Sequence, residues 1–150
     1  MKSYLFDTSV LVAAILEKHP KHEKAFRWLK AASNGKIGFY ISSHTLAELY
    51  SVLTGMPSSP KISPSQAKLL IEKNTQAARI IDLNEKDYWA VIVLLSDLNL
   101  SGGVIYDALS AYAARKAKAD HILTFNENDF KRFELKQDIP KTITPFHDIH

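Results

Sequence analysis

An apolar run that ends in a carboxylate constrains this chain more than any other feature. Tyr4-Leu-Phe-Asp7-Thr8-Ser9-Val-Leu-Val-Ala-Ala-Ile15 sets an acid and two hydroxyls between two apolar segments. The first segment suits a buried strand. The second, Val10 to Leu16, suits a buried helix face, although periodicity alone does not separate the two in segments this short. With a strand first and a helix second, Asp7 stands at the carboxyl end of the first strand of an α/β sheet. Ligands of open α/β sheets bind at that end.

The rest of the chain alternates in the same way. His19-Pro20 breaks the first helix, and Ala25, Trp28, Leu29 and Ala32 recur at helical spacing from about Lys21 to Ala32. Asn34-Gly35 ends that helix. Ile37 to Ile41 reads as a strand, and Ser42-Ser43 opens a helix that ends near Gly55. Met56 to Ser63, with Pro57-Ser-Ser-Pro60 inside it, reads as a loop but not as a domain boundary, because the segment before it is too small for a good core. Ser63 as N-cap, Pro64 at the first position and Gln66 as capping-box partner predict a helix to about Ala77. Arg79 to Leu83 is a third strand. Asn84 caps a helix through Trp89, Val93, Leu94 and Leu98, and Asn99 to Gly103 is a loop. A helix then spans Val104 to Ala117. Asp120 to Thr124 is a fourth strand, Phe125 to Asp129 a polar loop, and Ile143-Thr144 a weak last strand. This alternation predicts one domain over residues 1–150, with helices on both faces of a mostly parallel sheet of four to five strands.

Composition excludes several classes. At 150 residues the chain is long enough for a real core, and 46% hydrophobic with 23% charged residues describes an ordinary soluble domain. Without cysteine there is no disulfide scaffold, zinc–thiolate site or cysteine nucleophile. The net charge of +3 mildly favours an anionic partner. Asp7 interrupts the apolar N-terminal region, no convincing cleavage site follows, and no run approaches the roughly 20 residues of a membrane helix. A cytoplasmic protein that does not engage a membrane is expected.

Four acidic positions carry the chemistry, and each has a bland reading. Asp7 reads as an N-cap or turn residue. Glu48 reads as the capping-box partner of Thr45 or a solvated helix residue. Asp107 reads as a complement to its helix dipole. Asn126 and Asp129 read as loop and cap residues. Together these readings weaken. Apolar neighbours surround Glu48 and Asp107, and buried carboxylates need a partner. A hard divalent cation serves several at once, and carboxylates without basic residues favour Mg²⁺ or Mn²⁺ over zinc. Thr8 and Ser9 suit the orientation of a carboxylate or a metal-bound water.

The order of these motifs resembles a known family. Tyr-Leu-Phe-Asp7-Thr8-Ser9, Ser-Ser-His-Thr-Leu-Ala-Glu48-Leu, Tyr106-Asp107-Ala-Leu-Ser-Ala and Ile-Leu-Thr124-Phe-Asn126-Glu-Asn-Asp129-Phe130 look like the motifs of a PIN-domain protein of the VapC-like toxin type. The resemblance runs from about Lys2 to Phe133. It implies a three-layer α/β/α fold and an RNA-cleaving hydrolase that uses Mg²⁺ or Mn²⁺ and leaves a 5′-phosphate. Asp7, Glu48 and Asp107 match the three main acids, with Asp7 and Asp107 holding metal. Asn126 falls on the fourth position, as a carbonyl ligand without charge, and Asp129 stands near enough to substitute. Thr8, Ser9, Thr124 and Asp129 are supporting residues. The resemblance further implies a homodimer and an antitoxin protein. Apolar faces around Leu49–Leu53 and Leu69–Ile71 are expected to form the dimer surface or else to pack in the core. Lys18, Lys21, Lys24, Arg27, Arg115, Lys116 and Lys118 are candidate phosphate contacts. The alternatives are a non-catalytic relative that binds RNA or a partner, and a haloacid-dehalogenase-type phosphatase. The latter would want an Asp where Ser9 stands. His19 with His22, and His147 with His150, read as surface pairs rather than zinc sites.

Overall fold

Strict alternation in Tyr4-Leu5-Phe6 sends Tyr4 and Phe6 to one side of a strand and Leu5 to the other, and both sides are buried. That strand is the centre of the sheet. The computed structural model describes residues 1–57, 61–134 and 138–149. The middle of the Met56–Ser63 stretch and His150 lie outside them.

The elements are β1 (Ser3–Phe6), α1 (Thr8–Ile15), α2 (His22–Ser33), β2 (Gly38–Ser42), α3 (Ser43–Gly55) and α4 (Pro64–Thr75), followed by β3 (Arg79–Ile81), α5 (Glu85–Asp97), α6 (Val104–Ala117), β4 (His121–Leu123), α7 (Glu127–Glu134) and β5 (Lys141–Ile143). The five strands pair in parallel in the order β3-β2-β1-β4-β5. Gly38 sits against Ser3 so closely that a Cβ there would lie 2.7 Å from the Ser3 Cβ, so the start of β2 admits no side chain.

Two cores flank the sheet. Tyr4, Phe6, Phe39, Ile41 and Leu123 pack with α1, α2 and Leu49 of α3. Leu5 and Ile122 pack with α5, α6 and the two phenylalanines of α7. The three-layer α/β/α arrangement is therefore as expected. Trp28 is fully buried, and its indole N–H donates to the Pro145 carbonyl at 3.1 Å. Burial of such a side chain contributes about 1.5–3 kcal/mol, and the hydrogen bond spares the ring an orphaned donor.

The helix starts follow their local signals. Ser63 and Gln66 form the reciprocal capping box, and so do Asn84 and Asp87. One expectation needs correction, and one open alternative is decided. The stretch Phe125 to Asp129 is not all loop, because α7 begins at Glu127 and buries Phe130 and Phe133. Leu49 and Leu53 are fully buried, so that part of the expected dimer surface belongs to the protomer core. Tyr50, Val52 and Leu69 remain exposed, and so do Trp89, Ile92 and Val93 of α5. Among the described residues no helix is long and apolar enough to cross a membrane.

Candidate active site

The chain runs outward from β1 through β2 to β3, then returns to place β4 on the other side of β1. This reversal creates a crevice at the carboxyl ends of β1 and β4. Phe6 pairs with Leu123, so Asp7 and Thr124 leave the sheet side by side. Thr124 Oγ1 donates to Asp7 Oδ2 at 2.8 Å, and Ser9 Oγ donates to the same oxygen at 3.0 Å. Each hydroxyl also accepts a backbone N–H: Thr124 from Asn126 at 2.9 Å, Ser9 from Phe125 at 3.3 Å. Asp7 occupies the N-cap position of α1, but its side chain does not cap the helix. Its carboxylate is held by Oδ2, and among the described residues Oδ1 has no side-chain donor.

Glu48 is held in the same one-sided way. Its Oε1 accepts from Thr8 Oγ1 at 3.1 Å and lies 3.1 Å from His44 Nε2. The N–H direction of His44 is off the line of a hydrogen bond, so that contact is one of proximity. No capping box forms with Thr45, whose buried hydroxyl has no partner. The Glu48 side chain is 26% exposed. It is less enclosed than its apolar neighbours suggest, because Leu49 and Leu53 turn inward while Tyr50 and Val52 face out.

Asp107 stands in the first turn of α6, after a Gly103 that offers no side-chain cap. Burial and the charges of Asp7, Asp129 and Glu48 push its carboxyl up to about 7, with Arg132 opposing. Burial also raises Asp7; hydrogen bonds from Thr124 and Ser9 oppose that rise, and Glu48 adds to it. Helix-dipole stabilisation of Asp107 is thus outweighed by burial together with three nearby negative charges.

Asp7, Thr8, Ser9, Glu48, Asp107 and Asn126 all line one cleft of ≈ 340 Å³. Thr124 lies buried behind Asp7. Asp129 does not face the cleft. It lines an adjoining hollow with Asn126 and pairs with Arg132 at 3.2 Å. Of the seven expected phosphate contacts, Lys21 lines the cleft, with its ammonium 4.8 Å from the centre of the Phe125 ring. Arg27 donates instead to the carbonyls of Pro145 and His147. Lys116 is engaged by Asp87 and the Asp82 carbonyl. His44 was not among the expected site residues. Its position four residues before Glu48, on the same helix face, is the signal that points to it.

The donor set fits a hard cation. Among the described residues, no three His, Asp or Glu side chains form a ready-made group around one ion position. Magnesium does not require one, since it keeps several waters and binds through one or two carboxylates. Asp7 Oδ1 and the Asp107 carboxylate suit that role, and a cation there would offset the burial, and the lesser repulsion, that raise both groups.

The PIN domain matches residues 4–136 of the chain. The chain is 33% identical over 113 residues to Ribonuclease VapC40 of Mycobacterium tuberculosis, covering 75% of this chain and 79% of that protein. It is 29% identical over 114 residues to Ribonuclease VapC27 of the same species, covering 76% and 78%. Its structure resembles that of VapBC2 from Rickettsia felis, solved with a DNA fragment from its promoter. The TM-score is 0.65 at 26% identity, over 94% of this chain and 97% of that one. VapC20 of Mycobacterium tuberculosis, a sarcin-ricin loop cleaving toxin, shares the fold with a TM-score of 0.68 at 18% identity, over 86% and 94%. With the match spanning β1 to β4 and the acidic cleft alike, the chain is a VapC-like member of the PIN-domain family.

Proposed function

We propose that this protein is a Mg²⁺- or Mn²⁺-dependent endoribonuclease and the toxin of a type II toxin–antitoxin pair. The observation that carries this reading is the convergence of Asp7, Glu48, Asp107 and Asn126 on one cleft at the reversal of strand order. The names of the ribonuclease relatives support it.

Asp7 and Asp107 would hold the ion, with Asn126 as a neutral donor. A bound ion supplies Lewis-acid activation of water and neutralises charge on the phosphodiester. Glu48 accepts the proton of the attacking water. The water oxygen bonds to phosphorus, the bond to the 3′ oxygen breaks, the leaving 3′ oxygen takes a proton from solvent, and the products carry a 5′-phosphate and a 3′-hydroxyl. Thr124 and Ser9 keep Asp7 in one orientation, and Lys21 at the rim attracts the RNA backbone. Beyond Glu48 a second groove of ≈ 460 Å³, with Tyr88 and Tyr106 in its wall, gives room for a flanking nucleotide.

The VapBC structures among the relatives support a protein antitoxin. A homodimer through the exposed α5 side chains and a cytoplasmic location complete the reading. Asn126 favours one alternative, a relative that binds RNA or a partner without cleaving, because the site lacks a fourth carboxylate.

The purified protein should cleave structured RNA with Mg²⁺ and stop with EDTA. Asp7→Ala and Asp107→Asn should each lose cleavage while remaining folded by circular dichroism. EDTA-resistant cleavage, or full activity in the double variant, would overturn the assignment. RNA binding without metal-dependent turnover would establish the alternative.

A further inference from the structure

We propose that His44 is a positioning residue for Glu48, an assignment that rests on the ribonuclease reading above. The His44 side chain is 6% exposed and has a polar neighbour on each side. Ser42 Oγ lies 2.6 Å from Nδ1, and Ser42 is itself fully buried. On the opposite side Nε2 lies 3.1 Å from Glu48 Oε1. The Tyr106 ring stacks over the imidazole at 6.4 Å between centroids and 20° between planes. His44 therefore has little freedom to turn.

The tautomer follows from its neighbours. An unprotonated Nε2 would point a lone pair at a carboxylate. The network therefore assigns the proton to Nε2 and makes Nδ1 the acceptor of the Ser42 hydroxyl. Nε2–H is buried and has no aligned acceptor, and Glu48 is the carboxylate beside it. A rotation of the carboxylate that brings an oxygen onto the Nε2–H line completes the bond. Glu48 Oε1 is then held from two elements, by Thr8 of α1 and His44 of α3, which fixes the plane of the carboxylate. Oε2 is left for the chemistry in the cleft. This repeats at Glu48 what Thr124 and Ser9 do at Asp7, where both donors also meet one oxygen.

A buried histidine that merely fills space predicts something different. Two variants separate the roles. In His44→Gln the amide nitrogen reaches the place of Nε2. In His44→Asn the amide reaches only the place of Nδ1, facing Ser42. His44→Asn should lower kcat roughly ten- to hundred-fold with KM changed by no more than about two-fold, the signature of a misplaced catalytic group. His44→Gln should recover most of that loss. Independently of activity, ¹⁵N spectra of the histidine ring should show a protonated Nε2 and an unprotonated Nδ1. Glu48→Gln should shift the Nε2 resonance and leave Nδ1 nearly in place. Equal activity in the Gln and Asn variants, or an Nε2 resonance indifferent to Glu48→Gln, would overturn the proposal. If the wild-type protein cleaves no RNA, the ribonuclease reading falls and takes the positioning role with it. The nitrogen shifts would then report whether the contact alone survives.

Discussion

Thr124 donates its hydroxyl to Asp7 Oδ2 across 2.8 Å, joining residues 117 positions apart in the chain. The same hydroxyl accepts the Asn126 N–H, so one side chain orients both an acid and the loop carrying the fourth site residue. Thr124→Val keeps the shape and removes both bonds. It should cost about 1–3 kcal/mol, because a buried acceptor and donor lose their partner. Thermal melting checks this. RNA cleavage should fall by roughly ten-fold or more, as for a displaced catalytic group, and Thr124→Ser should restore both properties. Unchanged melting and cleavage in the valine variant would show that Ser9 alone suffices.

Asp107 gives the protein a pH dependence with a definite sign. Its carboxyl is raised by burial and neighbouring acids to about 7 in the folded protein, against an ordinary 3.8. The folded form holds a proton that the unfolded chain releases. This favours folding fully below about pH 4 and is lost as pH rises through about 7. The metal-free protein should therefore melt at a lower temperature at pH 8 than at pH 5. Asp107 is partly exposed, so solvent screening reduces the effect to about 1–2 kcal/mol, or about 3–6 °C. Asp107→Asn should flatten this part of the profile, and Mg²⁺ at pH 8 should raise the melting temperature of the wild type but not of the variant.

Asn126 faces the cleft, whereas Asp129 pairs with Arg132 outside it. Asn126→Asp adds a fourth charge where a cation would sit. It should tighten Mn²⁺ binding by roughly ten-fold, about 1.4 kcal/mol, and lower the melting temperature of the metal-free protein. Calorimetric titration with Mn²⁺ measures the affinity and the number of ions. Asp129→Asn should change metal affinity much less. The reverse ranking would move the fourth position to Asp129.

Trp89, Ile92 and Val93 expose apolar surface on α5 at 57%, 40% and 56%. Exposed apolar side chains grouped on one helix mark an interface. If they form the homodimer face, Val93→Asp should convert the protein to monomer in sedimentation analysis while its circular dichroism stays unchanged. A monomeric wild type would overturn the homodimer, and a dimer indifferent to this charge would place its contact elsewhere.

Much of this architecture was legible before any coordinates. The alternation of short apolar runs with amphipathic stretches marked the order of strands and helices. The Ser63–Gln66 capping box formed as read because a cap depends on four adjacent residues. The helix α7 was missed because Asn126-Glu-Asn-Asp129 reads as a turn. Its apolar helical signal is Phe130 and Phe133, two buried residues whose value depends on packing against α6. Leu49 and Leu53 were ambiguous for a similar reason, since an apolar stripe on α3 serves a core or an interface equally well until its neighbours are known.

Asp7 at the end of the first strand, and the acids and hydroxyls available to accompany it, were determined by the sequence itself. Local patterns act over a few residues, and that range covers a strand, a helix start and a cap. The tertiary structure decided which of these residues meet. Pairing β4 rather than β3 against β1 brings Thr124 onto Asp7. The path of the chain beyond β4 turns Asn126 into the cleft and Asp129 away from it. The packing of α1 against α3 presses Thr8 onto Glu48 beside His44. These are contacts between segments tens to more than a hundred residues apart, set by strand order and helix packing, and no run of neighbouring residues encodes them.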